Sequence, residues 1–450
     1  MKLAVIGCGY VGLVSGCCLA EAGHEVIATD NDGARIAALR AGKIPIYEPR
    51  LDKVLESVVR EGRLRFTADA GEAVRESDVI FICVGTPPTE TGEADLSAID
   101  NVARMIARES TSPKLIIEKS TVPAQTGEQL KRALTVYASN PGAKFRVASN
   151  PEFLREGTAL HDSLYPDRVV IGSDDARSLE MLYTLYRPIL DQTFAPPTYL
   201  PRPEGLGAVP LISTDLASAE LIKYAANAFL ALKISYINEI GQLAEKVGAD
   251  IQQVAKGIGL DVRIGTRFLQ AGIGWGGSCF GKDISALVAT ASEYSLTMPI
   301  VEAAREINRR QRERVVEKLL GELKILKGRT IGLLGLAFKP NTDDLREAPA
   351  IDIARKLVER GCKVKVHDPV AMERFQEQHR DLQVICCETP EETADDADAL
   401  VLITEWQQYR EIDWEALAPR MRSRIVLDGR NALDRARLTR FGFRYLGIGG

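Results

Sequence analysis

No CxxC pair occurs in this chain, histidine is scarce, and no apolar run approaches the ~18 to 20 residues that a membrane span needs. Each absence removes a class of function. The eight cysteines (Cys8, Cys17, Cys18, Cys83, Cys279, Cys362, Cys386 and Cys387) are scattered, with no histidines at zinc-ligand spacing. The four histidines, His24, His161, His367 and His379, form no HExxH arrangement. No metal site is therefore predicted, acid and base work falls to other side chains, and the cysteines are expected to be reduced thiols in a cytoplasmic protein. Charge of one sign is also missing: 57 Lys and Arg against 62 Asp and Glu are mixed along the chain, for a net charge of −5 and no basic stripe. Neither nucleic acid nor membrane is an expected partner. The amino end, MKLAVIGCGYVGLVSGCCLA, has the lysine and apolar residues of a secretory signal, but its glycines and the pattern after it read as folded structure.

What is present points to an α/β enzyme. At 450 residues the chain exceeds what one core supports. Residues 2–7 (KLAVIG) form an apolar run ending in glycine, residues 10–22 carry apolar residues at helical spacing up to Gly23, and EVIATD (25–30) is a second strand. This is a βαβ unit. DVIFICVGTP (78–87), KLIIEKSTVP (114–123) and FRVASNPEF (145–153) each read as an apolar strand with a polar tip, so residues 1–195 are expected to form a doubly wound parallel sheet with functional residues at the tips. The segment 195–213, rich in proline and glycine, is read as a boundary. Residues 214–247 lack proline and have no glycine before Gly241, which predicts one long helix, capped by Thr214 and stopped at Gly248. Its largely apolar circumference suggests burial on several sides and a dimer interface within a central helical domain, residues 214–325. In residues 326–450, GRTIGLLGLAFKP, GCKVKVHDP and DDADALVLITEW repeat the pattern of the first domain. A second Rossmann-like domain follows; without GxGxxG it suits the nucleotide part of a substrate.

Gly7, Gly9 and Gly12 spell GCGYVG between strand and helix. Gly7 permits the tight turn, Gly9 lets backbone approach a pyrophosphate, and Gly12 lets helix pack on strand. Asp30, ending the second strand, would bond ribose hydroxyls and repel a 2′-phosphate, which favours NAD. Arg35 either lies over the adenine or caps the surface.

GWGGSCFGKD (274–283) places Cys279 in a glycine-rich loop before a helical pattern. A helix N-terminus favours the thiolate, Lys282 adds positive charge, and Asp283 shares the face if the helix has begun. A nucleophilic thiol beside NAD has a definite use. It converts an aldehyde into a thiohemiacetal from which a second hydride can leave, giving a thioester that water cleaves. On the long helix, Lys223 and Asn227 are four residues apart, with Glu220 on the same face. They either hold an oxyanion or are a snorkelling lysine with a surface asparagine. Thr121, Glu152 and Glu156 fall at or just past strand tips, where a glutamate either orders water or is solvated.

With GCGYVG, STVP, NPEFLREG, AELIKYAANAFLALKISYINEI, GGSCFGKD and FKPNTDDLREAP in this order, the chain resembles the UDP-glucose/GDP-mannose dehydrogenase family over nearly its whole length. The text of the long helix is most similar to the members that act on UDP-glucose. The resemblance implies two Rossmann-like doubly wound domains joined by a long central helix, and oxidation of UDP-glucose to UDP-glucuronate with two NAD reduced. It implies Cys279 as nucleophile, with Lys223, Asn227, Asp283, Thr121 and Glu152 serving oxyanion, water and proton transfers. NAD contacts would fall on the glycine turn with Tyr10 and Val11, and on Asp30, Arg35, Thr86, Thr121, Glu152, Lys282 and Arg346. Substrate contacts would fall on Glu152, Phe153, Leu154, Arg155, Glu156, Lys223, Asn227, Phe268, Leu269, Gln270, Ala271, Gly272, Gly276 and Lys339. Arg263 would serve the neighbouring subunit's substrate, which implies a homodimer. Two departures stand out: STVPAQT has Gln125 where related chains often carry glycine, and the 202–213 linker is longer than usual.

Overall fold

The computed structural model describes residues 1–450, which divide into two compact units: residues 1–226 with 285–294, and residues 227–284 with 295–450. The division falls inside the long helix, between Ala226 and Asn227.

The first unit is built on eight strands: β1 (Lys2–Ile6), β2 (Glu25–Thr29), β3 (Leu64–Thr67), β4 (Val79–Ile82), β5 (Lys114–Glu118), β6 (Phe145–Ser149), β7 (Val169–Gly172) and β8 (Leu211–Thr214). Their order in the sheet is β3-β2-β1-β4-β5-β6-β7-β8, the doubly wound arrangement over its first six positions. Register brings Ile6 opposite both Thr29 and Ile82, so the tips of three neighbouring strands end level. Residues 79–82 are fully buried, as expected of a strand covered on both faces, and such side chains contribute about 1.5–3 kcal/mol each. The sheet is not wholly parallel: β6 meets β7 antiparallel at Ser149 and Gly172. The 195–213 segment also has more structure than its prolines suggest. Phe194, Leu200 and Val209 enter the first core, and β8 pairs with β7. Thr214 ends that strand, so the cap of the long helix (Leu216–Val247) passes to Asp215, which accepts the Ser218 N–H at 2.7 Å.

The second unit carries β9 (Thr330–Leu334), β10 (Lys363–His367), β11 (Ile385–Cys386), β12 (Ala399–Leu402), β13 (Ile425–Asp428) and β14 (Arg444–Leu446). The order β11-β10-β9-β12-β13-β14 repeats the first six positions of the other sheet, and every pairing is parallel. The two β-turns that begin the halves match closely. Gly7 (φ +100°) donates to the Thr29 carbonyl at 2.8 Å, and Gly335 (φ +101°) donates to the His367 carbonyl at 2.8 Å. Beyond that point they diverge. A helix (Tyr10–Glu21) starts three residues after Gly7, whereas the next helix after Gly335 starts at Pro349. Without a helix N-terminus at the turn, the second unit lacks the anion-favouring end that a dinucleotide phosphate uses.

The long helix is not buried all round. Phe229, Tyr236, Leu243 and Val247 are 49–67 % exposed and, at spacings of seven and four, form one apolar stripe.

Candidate active site

In the first unit the predicted positions gather at the C-terminal ends of the strands. A Cβ on Gly12 would lie 1.8 Å from the Gly7 carbonyl oxygen, while one on Gly9 meets nothing within 4 Å. Gly12 is thus required by close packing and Gly9 leaves the approach to the turn clear. The first helix has no acidic residue in its first turn and no capping side chain, so its N-terminal dipole favours an anion. Asp30 accepts the N–H groups of Cys8 (2.7 Å) and Asp32 (2.9 Å) and the Arg35 guanidinium (3.0 Å). Arg35 therefore orients the acid that follows β2. These features fit a bound NAD. The counterpart in the second unit, Asp368, is 2 % exposed and accepts five donors: the N–H groups of Leu336, Ala337, Val370 and Ala371 and the Trp406 indole. That carboxylate is consumed in holding its own turn.

Thr86, past β4, donates to the Thr121 carbonyl at 2.8 Å, which joins the tips of β4 and β5. Past β6, Glu152 is 8 % exposed; its Oε1 accepts Lys223 Nζ at 2.8 Å and its Oε2 accepts the Leu154 N–H at 2.8 Å. The lysine and glutamate, read separately in the sequence, form one buried ion pair. The Phe153 ring lies beneath two cations, with the Arg168 guanidinium 3.7 Å and Lys223 Nζ 5.4 Å from its centroid. Burial lowers the pKa of Arg168. Arg155 is held by Asp162 through its backbone N–H (2.9 Å) and both ends of its guanidinium (2.9 and 2.6 Å). Two candidates do other work. Glu220 is a buried acceptor for the Gln125 and Gly127 N–H groups, both at 2.7 Å, and so caps the helix Thr126–Tyr137. Tyr10 gives its hydroxyl to Glu48.

In the second unit Cys279 is exposed and immediately precedes the helix Phe280–Glu293; its carbonyl accepts the Asp283 N–H at 2.9 Å, the first bond of that helix. Asp283 is 1 % exposed and is held between Asn227 Nδ2 at 2.6 Å and Lys282 Nζ at 2.7 Å. Lys223 and Asn227, one turn apart, thus serve different partners. The loop before the thiol depends on its glycines: a Cβ on Gly276 would meet the Glu347 carbonyl oxygen at 2.4 Å, and Gly277 has φ +88° with the Phe338 ring 2.7 Å from where a Cβ would be. Phe268 (φ +64°) and Phe280 have ring centroids 6.4 Å apart, and Leu269 and Ala271 are buried. Gly272 donates to Asn238 at 2.8 Å and accepts from Gln311 at 2.8 Å. Gln270 and Arg263 are exposed; Arg263 pairs only locally with Asp261, at 2.6 Å. Arg346 is held by Asp344 at 2.7 Å, and Lys339 Nζ lies 5.5 Å from the Phe338 centroid.

Several supporting residues escaped the sequence reading. Arg430 donates to the carbonyls of Ile403 (2.7 Å), Gly274 (2.9 Å) and Phe338 (3.3 Å), tying the cysteine loop to two strand tips. Asn308 accepts the Trp275 N–H at 2.7 Å and donates back to the Trp275 carbonyl at 3.0 Å. Asn238, Asn308 and Gln311 are buried polar residues in helices, a signal the sequence did carry.

Three family models cover the chain: the UDP-glucose/GDP-mannose dehydrogenase family NAD binding domain over residues 1–190, its central domain over 217–310 and its UDP binding domain over 332–435. A UDP-glucose 6-dehydrogenase of Rhizobium meliloti (strain 1021) is 45 % identical over 453 residues, spanning 100 % of this chain and 99 % of its own. Another from Bacillus subtilis (strain 168) is 43 % identical, spanning 100 % and 93 %. Among solved structures, a UDP-glucose dehydrogenase from Pyrobaculum islandicum shares 40 % identity at a TM-score of 0.89, covering 99 % of this chain and 97 % of that one. A UDP-D-ManNAc dehydrogenase from Pyrococcus horikoshii shares 27 % identity at 0.84, covering 100 % and 99 %.

Proposed function

Because this chain belongs to the UDP-glucose/GDP-mannose dehydrogenase family, we propose that it oxidises UDP-glucose to UDP-glucuronate with NAD as oxidant. The observation that carries the reading is full-length similarity to proteins named UDP-glucose 6-dehydrogenase, joined to an exposed Cys279 at a helix N-terminus. NAD held at the Gly7–Gly12 turn supplies a two-electron acceptor for hydride, and two are reduced per sugar.

The chain's own residues then divide the work. In the first oxidation the 6-hydroxyl gives up its proton to a base of the site and its carbon gives up hydride, leaving the aldehyde. Cys279 Sγ adds to that aldehyde, and the oxygen of the thiohemiacetal is stabilised by Lys223 and Asn227. Loss of the second hydride gives a thioester. Water positioned by Glu152, Asp283 and Thr121 attacks the acyl carbon, the C–S bond breaks, and thiol and carboxylate are released. The pairing of Glu152 with Lys223 supports this: the buried ion pair, with the bond to the Leu154 N–H, holds the carboxylate in a fixed orientation from which it can position water. Substrate contacts are assigned to 152–156, 268–272, Gly276 and Lys339, with Arg263 serving a second copy. The exposed apolar stripe Phe229–Tyr236–Leu243 supports a homodimer through the long helix. Eight free thiols fit a reducing, cytoplasmic setting, and no helix is long and apolar enough to cross a membrane.

The test counts NADH released per sugar across UDP-glucose, UDP-galactose, UDP-N-acetylglucosamine, UDP-N-acetylmannosamine and GDP-mannose. Two NADH per UDP-glucose, with UDP-glucose preferred, is the expected result, and Cys279→Ala should lose uronate formation by at least ~10³-fold. One NADH per sugar with full activity in Cys279→Ala would refute the thioester route.

A further inference from the structure

The loop that follows β6 is anchored at its far end by a residue outside the reaction just described. Glu48, 7 % exposed, comes from the segment 42–50, whose Ile44 and Ile46 pack on the first core. Its Oε1 accepts the Ala159 N–H at 2.8 Å and lies 3.5 Å from the Leu160 nitrogen. Its Oε2 accepts the Gly157 N–H at 2.6 Å and the Tyr10 hydroxyl, and the same Gly157 N–H lies 3.0 Å from that hydroxyl. No lysine or arginine pairs with Glu48, so its donors are the tyrosine and the loop backbone alone. Gly157 has φ +83° and directly follows Glu156. Tyr10 is the first residue of the helix that begins the dinucleotide turn. One buried carboxylate therefore fastens the end of the 152–160 loop to the start of the cofactor helix, joining Gly157 to Tyr10 across 147 residues of sequence.

We propose that Glu48, through its bonds to the Gly157 and Ala159 N–H groups, is a positioning residue for the sugar-nucleotide contacts of residues 152–156. The physical argument is one of reach. Glu152 is fixed at one end of the loop by Lys223 and its own bond to Leu154, and Arg155 by Asp162; the Gly157 to Leu160 backbone is fixed by Glu48. Releasing that end leaves residues 153–156 with one anchor fewer and a positive-φ glycine free to turn. Burial raises the pKa of Glu48 and the four N–H and O–H donors oppose that rise, so the group is tuned by the loop it holds. The proposal rests on the reading that residues 152–156 touch the sugar nucleotide.

The experiment compares the parent with Glu48→Gln and Tyr10→Phe by steady-state kinetics and by amide hydrogen exchange. Gln presents its amide NH2, a donor, to one set of donors, so Glu48→Gln should raise KM for UDP-glucose about 5- to 20-fold while KM for NAD changes less than about threefold. Exchange at Gly157, Ala159 and Leu160 should accelerate about tenfold or more, with little change in β1 or β4. Tyr10→Phe keeps the carboxylate, so exchange should quicken at Gly157 and not at Ala159; this variant keeps the test alive if Glu48→Gln fails to fold. A rise in both KM values in step with a lower melting temperature would overturn the proposal in favour of a plain structural role, as would unchanged exchange at Gly157 and Ala159. If the parent does not turn over UDP-glucose at all, the functional reading fails on its own, and the exchange data still decide whether Glu48 holds the loop.

Discussion

A methyl group added at Gly12 would sit 1.8 Å from the Gly7 carbonyl oxygen, with the Cys83 side chain 3.0 Å away on the other side. Backbone cannot yield there without opening the turn, so Gly12→Ala should weaken NAD binding at least ~10-fold and destabilise the first unit by about 1–3 kcal/mol. Calorimetric titration with NAD and a melting curve check both; an alanine variant with parental affinity would mean that the turn is slack. The glycines and Cys279 were legible because their signal is local, a spacing of a few residues beside a strand or helix. Glu48 was invisible for the opposite reason. Its partners are Tyr10 and the 157–160 backbone, 38 and 109 or more positions away, and nothing in YEPRLD marks a carboxylate as an acceptor for another loop. Arg430 is similar: it reads as a surface arginine in DGRN until its three carbonyl partners are seen. The ion pair of Lys223 with Glu152 was half legible, each residue flagged but the pairing unknowable across 71 positions.

Two carboxyls meet where β5, the helix Thr126–Tyr137 and the long helix pack together. Glu118 is 1 % exposed and pushed up to about 8, chiefly by burial with a further contribution from Glu220; its Oε2 has no hydrogen-bond partner. Glu220 is pushed up to about 7, by burial first and then by Glu128 and Asp215, against the pull of its two backbone donors. A raised folded-state value means that the folded protein holds these protons more tightly than the unfolded chain. The stabilisation is complete below an ordinary glutamate's pKa and is lost as pH rises through about 7 to 8. The first unit should therefore melt at lower temperature at pH 8.5 than at pH 5.5, and Glu118→Gln should flatten that slope and add about 1–3 kcal/mol at the alkaline end. A glutamine variant less stable than the parent at pH 8.5 would show that the ionised carboxylate is accommodated. At this scale the sequence told most where elements are long or fully apolar. The 32-residue helix and strands β1, β2, β4, β5 and β6 stood out, β4 by its unbroken apolar run although it has only four residues, while β3 and β8, equally short and interrupted by Arg65, Ser213 and Thr214, and the two-residue β11 did not register. Gln125 explains its departure from glycine poorly on chemistry but clearly on geometry: at φ +81° it occupies the left-handed region at a cost of about 1 kcal/mol, offset by its N–H bond to Glu220.

The whole chain is two copies of one strand order with different uses, one turn kept clear by glycine and the other closed by Asp368. The long helix that carries the division also presents Phe229, Tyr236 and Leu243 to solvent, an arrangement a lone chain has little reason to keep. For the homodimer proposed above, Phe229→Glu places a charge in that stripe and should yield a monomer by sedimentation at micromolar concentration where the parent sediments as a dimer; a parent that sediments as a monomer, or a variant with an unchanged sedimentation coefficient, would refute that interface. Exposure also separates the thiols. Six of the eight are buried, whereas Cys279 and Cys386 are exposed, and oxidation follows access. A thiol open enough to meet an aldehyde, as proposed for Cys279, is open to peroxide as well. The lifetime of the catalyst is then set by how quickly its surroundings return a sulfenic acid to the thiol, a dependence on reductant that the six buried cysteines do not share.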